Sequence, residues 1–220
     1  STEEDVIYIS SGTWSLMGTE LKEADCREES RRANFTNEGG VDYRFRFLKN
    51  IMGLWMIQSV RKELPVKYSY AELCRMAEEV SDFPTVIDVN DQSFLSPDSM
   101  IEAIKEYCRK HDQAVPETPG ELAAVIYQSL ARSYGETVWE IEELTGKTYD
   151  KIHVVGGGSN ADYLNELTAW YTKKEVLAGP GEATALGNLA AQMIAAGELK
   201  DIWDARVCIR NSFEIRSFRA

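Results

Sequence analysis

The stretch His153-Val-Val-Gly156-Gly157-Gly158-Ser159-Asn160 decides how this chain is read. A β-branched run enters three glycines and is followed by a helical pattern over residues 161–171. A strand that turns this abruptly into a helix presents bare backbone and a helix N-terminus, where N–H groups and the helix dipole favour an anionic or planar ligand. The same glycines also admit a purely architectural reading, a tight strand-to-helix turn. Outward from this point, a strand over 151–155, the helix, a strand over 175–178 and a helix over 182–196 alternate. Such alternation argues an α/β layer architecture.

A dinucleotide site is the rival reading. Gly156, Gly158 and Ala161 satisfy G-x-G-x-x-G/A, and Glu175 stands near the place of a ribose-binding acid. Glu175, however, opens its strand, whereas the acid of a dinucleotide fold closes one. Too few residues follow Gly156 to build the rest of that fold.

The start of the chain reads as strand, turn and strand, Val6-Ile-Tyr-Ile-Ser-Ser-Gly-Thr-Trp-Ser-Leu-Met-Gly. At its tip, Ser10-Ser11-Gly12-Thr13 brings hydroxyls and backbone N–H groups together where no Cβ blocks phosphate oxygens; an ordinary hairpin turn has the same residues. Residues 27–40 read as surface connection and residues 43–48 as a short strand. The periodic run 49–64 reads as a helix that places Asn50, Leu54 and Gln58 along one side, with Gly53 permitting close approach. Periodicity alone leaves those amides in water. Ser69-Tyr-Ala-Glu72 and Thr118-Pro-Gly-Glu121 are capping boxes, the second opening a long helix that ends near Gly146, and Ser96-Pro97 opens another. In Ala178-Gly-Pro-Gly-Glu182-Ala-Thr-Ala-Leu-Gly187, the turn is suited to wall a pocket, and Ala185, Gly187, Ala190 and Ala191 suit close helix packing.

The 220 residues are expected to form one domain spanning 1–220. A net charge of −12 disfavours nucleic acid as a partner, since binding its backbone needs clustered Lys and Arg. It also means that a polyanion such as ATP must be held largely by backbone N–H groups. No apolar run reaches the roughly 20 residues that span a bilayer, so no membrane partner is expected. The acidic start has no signal-peptide pattern, which points to a cytoplasmic protein. Cys26, Cys74, Cys108 and Cys208 are widely spaced and only His111 and His153 supply imidazole, so no metal ligand is assigned.

Together, Ser10-Ser-Gly-Thr-Trp-Ser-Leu-Met-Gly18, Thr36-Asn-Glu-Gly-Gly40, Phe47-Leu-Lys-Asn-Ile-Met-Gly-Leu-Trp55 with Gln58, His153-Val-Val-Gly-Gly-Gly158 and Ala178-Gly-Pro-Gly-Glu-Ala-Thr-Ala-Leu-Gly-Asn188 resemble the C-terminal domain of the FGGY family of carbohydrate kinases. The resemblance runs from about Ile7 to about Gly197. It implies an actin-like, ribonuclease H-like ATPase lobe with a mixed sheet and flanking helices, one of two lobes that close over ATP, Mg²⁺ and a ketose, L-rhamnulose foremost. It implies that Thr13, with Ser11 and Gly12, approaches the ATP phosphates, that Gln58, Gly157 and the flanking Gly156 and Gly158 contact the nucleotide, and that Asn50 faces the sugar. Where the family commonly has Gln-Asn after the glycines, this chain has Ser159-Asn160-Ala161. The family's catalytic aspartate lies upstream of the first hairpin, so no catalytic residue is expected in this chain, and the amino-terminal lobe is expected as its partner. Another ketose, or a non-catalytic nucleotide-binding module of the same fold, is the alternative.

Overall fold

The computed structural model describes residues 5–220; the segment Ser1-Thr-Glu-Glu, on which most of the reading of the acidic start falls, lies outside the described residues. The chain begins with a hairpin of β1 (Ile7–Ser11) and β2 (Trp14–Leu21). A short helix α1 (Glu28–Arg32) leads to β3 (Phe35–Gly39) and β4 (Phe45–Met52). Helices α2 (Trp55–Glu63), α3 (Tyr70–Glu78), α4 (Met100–Lys110) and α5 (Pro119–Thr145) follow. The last part alternates as β5 (Lys151–Val155), α6 (Asp162–Thr172), β6 (Glu175–Ala178), α7 (Ala183–Ala195), α8 (Ile202–Ser212) and β7 (Arg216–Phe218).

One mixed sheet joins the strands in the order β3-β4-β2-β1-β5-β6-β7. The pairs β3–β4, β4–β2 and β2–β1 are antiparallel, β1–β5 and β5–β6 are parallel, and β7 closes the far edge antiparallel to β6. Strand alternation sorts the side chains. Ile7, Ile9, Phe47, Ile51, Ile152 and Val154 are buried in the core. Tyr8, Ser10, Leu16 and Asn50 lie at the alternate positions, the last of them exposed.

The core centres on α5, a helix of 27 residues opened by the Thr118–Glu121 capping box and ended by Gly146 in the left-handed region (φ 66°). Most of its faces are buried, which explains a sequence with little amphipathic contrast. Two contacts tie it to the antiparallel strands. Tyr134 Oη and Ser15 Oγ lie 2.6 Å apart in the interior, and Lys49 Nζ donates to Glu140 Oε2 at 2.6 Å.

Four expectations need correction. Residues 49–64 are not one helix: β4 runs to Met52, Gly53 breaks the chain, and α2 starts at Trp55. Sheet pairing overrides the helical periodicity, because Asn50 stands opposite Leu16 and Ile51 opposite Ser15 in the ladder. Residues 27–40 contain α1 and the edge strand β3, whose Thr36 stands opposite Leu48. The cap of α4 is Ser99, whose Oγ accepts from Glu102 N at 3.1 Å, rather than Ser96. In α7 only Ala190 of the four small residues is buried, while Ala185, Gly187 and Ala191 are exposed and do not pack on described neighbours. α8 and β7 extend the fold past the last helix expected; α8 is capped by Asp201, whose Oδ1 accepts from Trp203 N and Asp204 N. Among the described residues no helix is long and apolar enough to cross a membrane.

The β2–β4 ladder leaves no room for a side chain at Gly18, where a Cβ would fall 2.0 Å from Phe47 O and 2.7 Å from Leu48 Cα. Gly18→Ala therefore forces the central strands apart and is expected to lower stability by about 3 kcal/mol. Gly39→Ala, where an added Cβ meets nothing within 4 Å, is the control. Urea midpoints for the two variants check this; equal midpoints would show that the ladder gives way freely.

Candidate functional site

The β1–β2 turn is held from both sides. Gly12 N donates to Trp14 O at 2.9 Å, closing the tip. The tip carbonyls then receive the first amides of the following helix, Leu54 N to Gly12 O at 2.9 Å and Trp55 N to Thr13 O at 3.1 Å. This docking needs Gly53, since a Cβ there would fall 2.6–2.8 Å from the backbone of Trp14, Ser15 and Gly12. Gly53 does permit a close approach, and what approaches is the hairpin. Thr13 is thereby set beside α2, its hydroxyl 3.5 Å from Gln58 Oε1.

The three glycines have different tasks. Gly156 is in the left-handed region (φ 83°) and lies against β1, where a Cβ would be 2.7 Å from Ser11 O. Gly158 faces Ser11 so closely that a Cβ would be 1.9 Å from Ser11 Oγ. Gly157 between them is open, with nothing within 4 Å of its ideal Cβ. The architectural reading thus holds for the outer two glycines, while the middle one leaves backbone uncovered. The Ser11 hydroxyl is turned inward and buried, so any part Ser11 has at a ligand is through its backbone.

From the second glycine of the triplet the chain makes a 3₁₀ turn over Gly157–Asn160 before α6 begins. Three contacts brace it. Ser159 Oγ donates to Gly156 O at 2.7 Å, and Asn165 Nδ2 donates to Ser159 O at 3.2 Å. Arg216 from β7 donates to Ser159 O at 2.5 Å and pairs with Asp162. Arg216 carries no local sequence signal, because its partners are distant in the chain, and Asn165 reads as an ordinary residue of α6 although it bonds back to the turn just before that helix. The turn after β6 abuts the turn after β5: Gly156 N donates to Pro180 O at 3.3 Å, and a Cβ on Gly181 would lie 3.5 Å from Asn160 Nδ2. The Gly-Pro-Gly segment, with a cis Gly179–Pro180 bond, does wall a cavity, one of about 260 Å³ that includes Ser159, Asn160 and Arg216.

Two further cavities lie near the hairpin tip, one lined by Gln58, the neighbour of Thr13, and one by Gly12 itself. One, of about 280 Å³, lies between α2, α3, α5 and the glycine turn, and is lined by Gln58, Tyr70, Cys74, Tyr127, Gly157 and Asn160 among others. Burial pushes the pKa of both Cys74 and Tyr127 above their ordinary values, so this floor stays uncharged. Arg61 stacks over the Tyr70 ring at 4.8 Å and fixes one wall. Cys74 and Tyr70, one helical turn apart, read as ordinary helix residues in the sequence. The second cavity, about 420 Å³ and shallow, is lined by Ser10, Gly12, Trp14, Leu16 and Asn50. Asn50 is therefore not on a helix face shared with Gln58. The two amides are parted by the sheet, with the Gly12–Thr13 tip between them.

Glu175 takes no part. It opens β6, at the opposite end of the parallel strands from the glycines, and its carboxylate accepts from Ser217 at 2.8 Å and Arg219 at 2.7 Å. The dinucleotide reading has no acid at its required place.

Four antiparallel strands joined to parallel ones, with the open turns at the ends of β1 and β5, give the ribonuclease H-like fold of the actin-like ATPases. Solved structures agree. A ligand-bound xylulose kinase from Lactobacillus acidophilus matches with a TM-score of 0.68 at 13% identity, over 99% of this chain and 43% of that one. A Plasmodium falciparum glycerol kinase with ADP matches with a TM-score of 0.69 at 9% identity, over 97% and 42%. Residues 7–196 match the C-terminal domain of the FGGY family of carbohydrate kinases, and the chain belongs to that family. Among curated proteins, the rhamnulokinase of Halalkalibacterium halodurans is 50% identical over 97% of this chain, and that of Enterococcus faecalis 51% over 99%. The chain spans 46% and 44% of their lengths, less than half of each.

The glycine geometry separates folding from binding. Gly157→Ala is expected to leave stability within about 0.5 kcal/mol, so any loss of ligand affinity in that variant reports contact at the open glycine. Gly158→Ala is expected to lower stability by about 2 kcal/mol or more through its clash with Ser11. Thermal melts of both variants check the order; a Gly157 variant less stable than the Gly158 variant would refute the assignment.

Proposed function

We propose that this chain is the nucleotide-binding lobe, a single domain over 1–220, of an ATP-dependent ketose kinase. The whole enzyme transfers the γ-phosphoryl group of ATP to the 1-hydroxyl of L-rhamnulose in the cytoplasm. The observation that carries the reading is the hairpin tip, whose Gly12 lines one cavity and whose Thr13 hydroxyl lies 3.5 Å from Gln58 Oε1 at the other. Phosphoryl transfer is mainly positioning and charge stabilisation. It needs a nucleoside on one side, an acceptor sugar on the other and phosphate-facing groups where they meet.

In this assignment the uncharged cavity beside α3 takes the base and ribose, with Gln58 and the open backbone at Gly157 as contacts. Its volume lies near the lower end of the roughly 300–1,000 Å³ usual for small-molecule pockets, which suits a nucleoside whose phosphates lie outside. The Gly12–Thr13 tip approaches the phosphates through the Thr13 hydroxyl and backbone. Asn50, exposed across from Leu16, faces the sugar. The rhamnulokinase relatives support L-rhamnulose as that sugar.

Charge supports a second half to the site. Among the described residues that line the two cavities there is no Lys or Arg, although a triphosphate carries several negative charges. Backbone amides supply part of the balance. The remainder falls to Mg²⁺, which when bound neutralises phosphate charge, and to groups of an amino-terminal lobe. That lobe also supplies the carboxylate that takes the proton of the sugar hydroxyl. The isolated chain therefore binds ATP or ADP weakly and turns over no sugar.

Amide chemical shifts of the purified chain during titration with Mg²⁺·ATP test the nucleotide side. Saturable shifts are expected at Thr13, Gln58 and Gly157, with none from NAD, and Gln58→Ala is expected to weaken binding by about tenfold, the loss of one hydrogen bond. Shifts elsewhere, or a preference for NAD, would overturn the reading. In the two-lobe enzyme, Asn50→Ala is expected to raise KM for L-rhamnulose by about tenfold at unchanged ATP affinity. A loss confined to ATP would place Asn50 on the wrong side.

A further inference from the structure

The face of the sheet turned away from α5 carries a second set of side chains. Ile152 and Val154 are buried in the core, so Lys151, His153 and Val155 at the alternate positions point to the other side. Strand pairing sets their neighbours in rows, Lys151 beside Glu175, and His153 between Tyr8 and Leu177. The helix α8 crosses this floor. Arg206, Ile209 and Arg210, with Phe213 at the end of the helix, are spaced i, i+3, i+4 and i+7 and so form one stripe. A stripe that only packed on a sheet would be apolar, yet two of these four residues are arginines. Floor and stripe line a cavity of about 630 Å³, more than twice the volume of the one beside Gln58 and well within the range usual for small-molecule sites.

The cavity has two unlike ends. At one, Arg219 donates to Glu175 Oε1 at 2.7 Å beside Lys151. Arg206 belongs to this end too: it donates at 2.9 Å to Glu20, which lies two residues past the Gly18 that stands opposite Tyr8. At the other end the lining is Val155, Pro180, Ile215 and Phe213. Along β5 the two ends are four residues apart, about 13 Å. Among the described residues that line the cavity, Lys151, Arg206, Arg210 and Arg219 are cations and Glu175 alone is a carboxylate, in a chain whose net charge is −12.

We propose that this cavity binds an organic phosphate with an apolar or aromatic body, the phosphate at the Lys151, Arg206 and Arg219 end and the body against Leu177, Val155 and Phe213. Guanidinium groups favour phosphate oxygens through paired N–H donors. Inorganic phosphate or a sugar phosphate leaves the apolar end without a contact, and an uncharged apolar compound leaves the cations unanswered. The site stands independently of the kinase reading, since the cavity beside Gln58 lies on the α5 side of the sheet. One link joins the two sides: Gly179 and Pro180 line the new cavity, and Pro180 O accepts from Gly156 N at 3.3 Å. A ligand here therefore touches the turn that braces the glycines.

Phenyl phosphate is the probe, with inorganic phosphate and phenol as its two halves, titrated by calorimetry into the 220-residue chain and into the full-length enzyme. Phenyl phosphate is expected to bind both proteins saturably and at least about tenfold more tightly than either half. Amide shifts in the short chain are expected at His153 and Leu177 and not at Gln58. Arg210→Gln combined with Arg219→Gln, both exposed in the structure, is expected to weaken binding by about tenfold or more at unchanged melting temperature. Because the second change leaves Glu175 without Arg219, Arg210→Gln alone is the companion variant, expected to weaken binding by about threefold. Equal affinity for phenyl phosphate and inorganic phosphate would reduce the site to a bare anion patch, and equal affinity for phenol would reduce it to an apolar crevice; either overturns the proposal. So would shifts centred on Gln58, affinity indifferent to both arginine variants, no binding, or binding to the short chain that is lost in the full-length enzyme, where another segment would then fill the cavity.

Discussion

The end of β1 lies against the turn after β5, and that contact is possible only where side chains are missing. Gly156 meets the Ser11 carbonyl and Gly158 meets the Ser11 hydroxyl at distances no Cβ would tolerate. Parallel pairing of the two strands, Ser10 beside Val155, brings these segments together. In open sheets with parallel strands, ligands sit beyond the carboxyl ends of the strands, where connections leave in opposite directions. Here β1 turns back through a hairpin to one side and β5 runs on to α6 at the other. The steric fit of Ser11 into the glycines is what sets Gly157 and Thr13 at one place.

Other contacts maintain that arrangement at longer range. The buried Ser15–Tyr134 pair fastens the hairpin to α5, and the Gly12 and Thr13 carbonyls occupy the first amides of the α2 region. Buried hydroxyls satisfied by each other cost little, whereas one left alone costs about 1–3 kcal/mol, so the pair also discriminates against shifted hairpin positions. On the other side Asn165 and Arg216 hold the 3₁₀ turn through its carbonyls.

Much of this was legible in the sequence where the cause is local. Capping boxes placed α3 and α5, β-branched runs placed β1 and β5, and the glycines marked the turn after β5. The misreadings have non-local causes. Residues 49–52 carry no strand signature of their own and become strand because β2 and β3 pair with β4, while the charge of Lys49 is taken up by Glu140 far along the chain. The edge strand β3, Phe-Thr-Asn-Glu-Gly, lacks apolar alternation because most of it is exposed. Tyr70 and Cys74 join the cavity beside Gln58 through packing between helices, which spacing does not reveal. The expected relation of Gln58 and Asn50 was inverted, since an assumed helix put on one face what the sheet divides.

That division has an evolutionary meaning. Along β2 and β4, alternate residues look in opposite directions, so Ser15 and Ile51 serve the interior while Leu16 and Asn50 serve the open cavity. The pleat insulates the two sets from each other. With the sugar side assigned as above, a lineage is free to exchange one substrate for another at the outward positions without reworking the core or the adenine side. A single scaffold can then radiate over many sugars while its energy source stays constant.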